Sequence, residues 1–143
     1  MLITMKPEQK GLLLFITLYL STFLLGYGYV LSQYTYTVAF SESLGSFLVD
    51  GHGRTIYYNT NDLPYNTLPS CDGDCLGEFP FVPTGTVHVP PTLNNSDFGL
   101  VLRAEDEWQV TYKGIPLYYF TNDTKPGDTY GEGHMGMWHV VPP

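Results

Sequence analysis

An all-β ectodomain, a small antiparallel sandwich or barrel built from two similar hairpin-containing repeats with one N-terminal transmembrane helix before it, is the fold this sequence predicts. Three observations carry that expectation. Gly53-Arg54-Thr55-Ile56-Tyr57-Tyr58-Asn59-Thr60-Asn61-Asp62 returns as Gly114-Ile115-Pro116-Leu117-Tyr118-Tyr119-Phe120-Thr121-Asn122-Asp123, with Gly, both Tyr, Thr, Asn and Asp kept at an offset of 61 residues. Such self-similarity marks a duplicated structural unit. The 143 residues include 12 Tyr, 15 Gly and 11 Pro, the make-up of a turn-rich β protein. Finally, the 21 residues from Gly11 to Leu31 carry no charge, enough to cross about 30 Å of hydrocarbon as a helix.

The chain opens with a short segment, 1–10, containing Lys6 and Lys10, and no further basic residue occurs until Arg54. The positive-inside bias therefore puts 1–10 in the cytoplasm, 11–31 across the cell membrane as a single span and everything after it outside. A cleaved signal peptide is the competing reading, but its apolar region is usually about 7 to 15 residues long. A pilin-like filament subunit, processed near Lys10-Gly11, is another alternative. Residues 32–46 form a connector in which Tyr34 to Phe40 alternates with the period of a strand.

The ectodomain, 47–143, divides into repeat one (47–82), a connector (83–107) and repeat two (108–143). In repeat one, Phe47-Leu48-Val49 turns at Asp50-Gly51-His52-Gly53 and returns through Thr55 to Tyr58 as a hairpin. Val87-His88-Val89 and Phe98 to Arg103 read as further short strands. Repeat two opens with a hairpin across Ala104 to Glu107, runs through Trp108 to Tyr112, turns at Lys113-Gly114 and continues through Leu117 to Phe120; Met137 to Val141 closes the domain. At the common offset Phe47 and Val49 fall where Trp108 and Val110 do. Gly73-Asp74-x-x-Gly77-Glu78 is echoed by Gly127-Asp128-x-x-Gly131-Glu132, and Phe79-Pro80-Phe81-Val82 by Trp138-His139-Val140-Val141. Eight or nine strands and no helix after the span are expected.

Tyr118-x-Phe120-x-x-Asp123, with Gln109-Val110-Thr111-Tyr112-x-Gly114-x-Pro116-Leu117-Tyr118, Cys71-x-x-x-Cys75 and Trp138-His139-Val140-Val141-Pro142, resembles the Tyr-x-aromatic-x-x-Asp signature of a family of secreted repeat proteins, mostly predicted bacterial lipoproteins, whose function is unassigned. The resemblance spans roughly 47–143 and makes Tyr57, Asp62, Tyr118, Phe120 and Asp123 its motif residues. Asn59 stands where that signature has an aromatic, and no lipid-accepting Cys is present near the N-terminus.

Cys71 and Cys75 are the only thiols. Outside the cytoplasm a disulfide across this small loop is their natural state; a redox-active or metal-binding pair is the sharper alternative. His134-Met135-Gly136-Met137-Trp138-His139 offers imidazole and thioether groups that copper accepts, although His134 and His139 would face opposite sides of a continuous strand. The recurring acids Asp62, Asp74, Glu78, Asp123, Asp128 and Glu132 invite calcium, but an Asp in a Thr-Asn-Asp corner commonly accepts backbone N–H bonds. The paired Tyr57-Tyr58 and Tyr118-Tyr119 place one ring on each face of a strand, one for the core and one available to a partner. Asn94 and Asn122 head glycosylation triplets.

No nucleophile-elbow or phosphate-loop sequence occurs. Thirteen of the 14 acidic residues follow the apolar segment against four of the six basic ones, a balance that repels phosphate backbones and argues against nucleic acid as partner. The expected function is a non-catalytic accessory or interaction subunit of a membrane or cell-surface assembly, a respiratory complex being one candidate, with no cofactor. An extracytoplasmic copper or electron-transfer protein is the alternative from a different class.

Overall fold

The computed structural model describes residues 33–65, 68–103 and 106–143, and the chain from Tyr34 to Pro143 forms one compact unit. Residues 1–32, including the expected cytoplasmic segment, membrane span and pilin-like leader, lie outside the described residues. Among those described, no helix is long and apolar enough to cross a membrane.

The described residues contain seven strands: β1 (Tyr36–Ser41), β2 (Gly45–Asp50), β3 (Tyr57–Asn59), β4 (Phe98–Leu102), β5 (Trp108–Tyr112), β6 (Ile115–Pro116) and β7 (Trp138–Val140). All pair antiparallel, as β1-β2, β3-β7 and β4-β5-β6. Single bridges supplement these ladders, among them Tyr57 to Tyr118 and Phe81 to Tyr118. The all-β expectation holds, with corrections: the described residues hold seven strands where eight or nine are expected, and Leu117 to Phe120 is no strand but is bridged singly at Tyr118, the second hairpin's return ladder ending at Pro116. Cys75–Glu78 forms one helical turn, α1, too short to leave a periodic signal. Val87 to Val89 is not a strand; it lies against the approach to β1, where Thr35 N–H donates to His88 O (2.7 Å).

The duplication is visible in the hydrogen bonds, and it is crossed. Ile56 N–H donates to Leu48 O across the first hairpin, as Leu117 N–H does to Val110 O across the second. Each hairpin is then closed by the other repeat's last segment. Val141 N–H donates to Ile56 O and its carbonyl accepts from Leu48, while Val82 N–H donates to Leu117 O and its carbonyl accepts from Val110. At the centre the equivalent residues Tyr57 and Tyr118 exchange two backbone hydrogen bonds (2.8 and 2.9 Å), which relates the halves by a local two-fold.

These pairings correct the sequence alignment ahead of the turns. Leu48, not Val49, is the partner of Val110, because the turn at Asp50–Arg54 is one residue longer than the turn at Lys113-Gly114. The offset is therefore 62 before the turn and 61 after it.

Alternation along the central strands sorts side chains into two cores. Leu48, Ile56 and Val82 pack with Val110, Leu117 and Val141 on one face, and Tyr36 and Tyr112 join them. Tyr57, Phe79 and Cys71 pack with Tyr118, Trp138 and Phe120 on the other. Phe79 and Trp138, equivalent residues, stack with centroids 3.7 Å apart and planes 2° apart. Tyr58 and Tyr119 are half-buried against the first core, so both rings of each Tyr pair serve packing.

Candidate functional site

The motif residues meet at the centre of the domain, across the repeats. Tyr57 Oη donates to Asp123 Oδ2 (2.6 Å), and Tyr118 Oη donates to Asp62 Oδ2 (3.0 Å). Each tyrosine of one copy thus holds the aspartate of the other. The second oxygens are also used: Asp62 Oδ1 accepts from Ser70 N–H (2.6 Å) and Asp123 Oδ1 from Tyr130 N–H (2.9 Å). Tyr57 and Tyr118 are wholly buried, and both aspartates are 7 % exposed.

Burial dominates the electrostatics here. It pushes the Tyr57 and Tyr118 hydroxyls well above the ordinary tyrosine value, and the adjacent carboxylates add to the effect. Asp123 is also raised, chiefly by burial, while the Tyr57 hydroxyl and Tyr130 N–H pull it back. A tyrosine kept protonated and a carboxylate kept bonded tie the two copies together.

Phe120 and Asn59 occupy equivalent positions with different surroundings. Phe120 packs on Phe79 (4.8 Å between centroids) and Tyr57 (6.3 Å), beside Gly131, where an added Cβ would lie 2.9 Å from Tyr57 Cζ and 3.0 Å from Phe120. In repeat one Asn59 is small, its Oδ1 accepts from Asn61 N–H (2.9 Å), and Cys71 takes the place that Gly131 has. The larger ring thus goes with the missing side chain, and the smaller amide with the thioether-sized one.

The disulfide between Cys71 and Cys75 is formed. Beside it lies a residue that composition alone leaves on the outside. Arg103 is 6 % exposed, donates from Nη1 to Gln109 Oε1 (2.6 Å) and from Nη2 to Cys71 O (2.7 Å), and lies 3.5 Å from Asp72. Gln109, fully buried, passes the connection on by donating to Leu117 O (2.8 Å). Arg103 lies one residue past the end of β4, and Gln109 lies on β5, which pairs with β4.

The four copper candidates have separate surroundings. His134 Nε2 lies 3.1 Å from Glu78 and His139 Nδ1 lies 2.8 Å from Glu132. Met137 Sδ accepts from Asn61 Nδ2 (3.2 Å), and Met135 is 75 % exposed. His134 sits in a 3-10 turn rather than on a strand with His139. Cys71, bonded to Cys75, offers no thiolate. Among the described residues no group of three or more His, Cys, Asp or Glu side chains is placed to hold a metal ion.

The recurring acids divide likewise. Asp62 and Asp123 are equivalent, but Glu78 is not the counterpart of Glu132: Thr121 N–H donates to Glu78 O as Thr60 N–H does to Met137 O. Asp128 accepts from Thr124 and Lys125 N–H at a turn, and Asp74 lies in the turn before α1, its side chain making no cap bond. Of the glycosylation candidates, Asn94 is exposed and its Oδ1 accepts from Ser96 N–H (3.0 Å); Asn122 is exposed within the motif corner.

The fold and its centre define a duplicated all-β domain locked by reciprocal Tyr-Asp pairs. Residues 99–142 match the profile of a family described as a secreted repeat of unknown function, the resemblance read from the motif above. The match covers most of β4 and repeat two; the crossed hydrogen bonds extend the same unit to repeat one. No curated protein and no solved structure matches the chain.

Proposed function

We propose that this chain displays a rigid, non-catalytic β module outside the cytoplasm, held at the membrane by residues 11–31, as an accessory or interaction subunit of a membrane or cell-surface assembly. One observation carries the reading: the conspicuous polar residues of the repeat are consumed by the fold, each tyrosine hydroxyl bonded to the aspartate of the opposite copy. Among the described residues no buried side-chain nitrogen or oxygen lacks a partner, as expected where polar groups serve a unique structure rather than await a substrate. The secreted character of the matching family and the disulfide both support an extracytoplasmic setting.

Two measurements test this. In intact cells a membrane-impermeant protease should reach epitopes placed after Pro143 but not before Met1. Extraction in mild detergent should then bring the chain down with stoichiometric protein partners. Protection of the C-terminal epitope refutes the topology, and a chain that always migrates alone refutes the accessory role.

A further inference from the structure

A cleft of about 780 Å³ is built on Tyr34, on connector residues His88, Pro90 and Asn94, and on Tyr112 and Lys113 of repeat two. Tyr34 and His88 stack there with centroids 5.3 Å apart. A second, smaller pocket of about 230 Å³ is walled by Tyr58, Ile115 and Leu117. The two share Tyr112, Lys113 and Pro143, which form the saddle between them.

Lys113 is the unusual member. It opens the two-residue turn between β5 and β6 with φ 49°, followed by Gly114 at 80°. Both positions of such a turn need a left-handed backbone, which asparagine followed by glycine accepts and lysine resists. A residue held in a sparsely populated conformation is grounds for asking what its side chain supplies. Lys113 is exposed, its Nζ lies 4.9 Å from the Tyr112 ring centroid, and among the described residues it has no carboxylate within the 4.0 Å of an ion pair. Of the other described cations, Arg103 is buried in its own network, Arg54 lies over Tyr119 at 3.9 Å, and Lys125 is exposed at a turn away from this saddle. The Lys113 ammonium stands between an apolar pocket and a cleft whose lining also includes Asp97, and it offers a local positive charge to an anionic group on whatever lies across it.

We infer that this saddle binds an extended acidic peptide segment, whose carboxylate pairs with Lys113 while a neighbouring bulky apolar side chain fills the Tyr58-Ile115-Leu117 pocket. The flanking cleft, with its aromatic and proline walls, receives the rest of the segment, as grooves for extended peptides do. This deepens the interaction role proposed above and names the chemistry of its partner.

The full chain in detergent micelles is applied to an array of acetylated, amidated hexapeptides whose two central positions run through every residue pair. The strongest peptide is then titrated by fluorescence anisotropy. Binding should concentrate on peptides with an acid beside Leu, Ile, Phe or Met. Lys113→Asn should weaken binding by about tenfold or more, the loss of one charge-assisted contact, while melting at an unchanged or higher temperature because the turn is relieved. Lys113→Arg should retain binding. An array without signal, signal indifferent to acids, a preference for basic peptides, or equal affinity in Lys113→Asn each overturns the inference; none of these bears on membrane topology, which the protease experiment reads separately.

Discussion

Tyr57→Phe removes one hydroxyl and leaves the rest of the buried ring in place. That hydroxyl donates to Asp123 at 2.6 Å and accepts from Gly131 N–H at 3.3 Å. Asp123 keeps its bond from Tyr130 but loses its only side-chain donor among the described residues, in a position 7 % exposed. A hydrogen bond to a charged group contributes about 1.5–3 kcal/mol, so the variant should lose about 2 kcal/mol, or roughly 8 °C of melting temperature for a domain of this size. The loss should depend on pH in a stated direction. Burial raises the Asp123 carboxyl above its ordinary value of 3.8 and the Tyr57 bond opposes that rise. A raised carboxyl binds protons more tightly when folded, so its contribution to stability is full below 3.8 and is lost as pH climbs through the folded value. Without Tyr57 the carboxyl rises further and the penalty near neutrality grows. The cost of Tyr57→Phe should therefore shrink on acidification, once Asp123 is protonated and no longer needs the donor. Urea unfolding of the full chain in detergent, followed by the fluorescence of buried Trp138 at neutral and acid pH, measures both quantities. A cost below about 0.5 kcal/mol, or one that is the same at both pH values, refutes the lock.

Gly131→Ala should cost about 1–3 kcal/mol, since the new methyl meets the Tyr57 and Phe120 rings at 2.9 and 3.0 Å; thermal melts check it, and wild-type stability would show that the rings yield freely. Arg103→Met should cost about 3 kcal/mol by leaving Gln109 Oε1 and Cys71 O without their donor, measured in urea. Alkaline titration should show stability falling above about pH 10. Burial, first among causes, raises Tyr36 to about 12 and Tyr57, Tyr118 and Tyr119 further. Their stabilising contribution is then complete below the unfolded value of 10.0 and disappears as pH rises through the folded ones. Tyrosinate absorbance should accordingly appear in two steps, the second coincident with unfolding.

The duplication, the hairpins and the Tyr-Asp motif were legible in the residues because each is local: a turn, an alternation, a repeated decapeptide. The crossing was not. Nothing in the sequence near Val82 or Val141 tells which hairpin it closes, since either would bury the same side chain against the same kind of partner. The extra residue at Asp50–Arg54 likewise shifts the first strand by one position without leaving a gap that short identities could expose. The burial of Arg103 had no signal of its own for a related reason: the acceptors that compensate its charge, Gln109 and the Cys71 carbonyl, are brought from separate parts of the chain. The motif at Gly127-Asp128-x-x-Gly131-Glu132 misled in the opposite sense, being a likeness of spelling whose hydrogen bonds match elsewhere.

The exchange of closing segments has a consequence for biogenesis. Ile56 and Leu48 stay without their third neighbour until synthesis has reached Val141, so the first half has no autonomous finished state and the whole unit must snap shut late. The same geometry means that one copy alone would present a sticky margin, satisfied only by a second copy in the same chain or in another molecule.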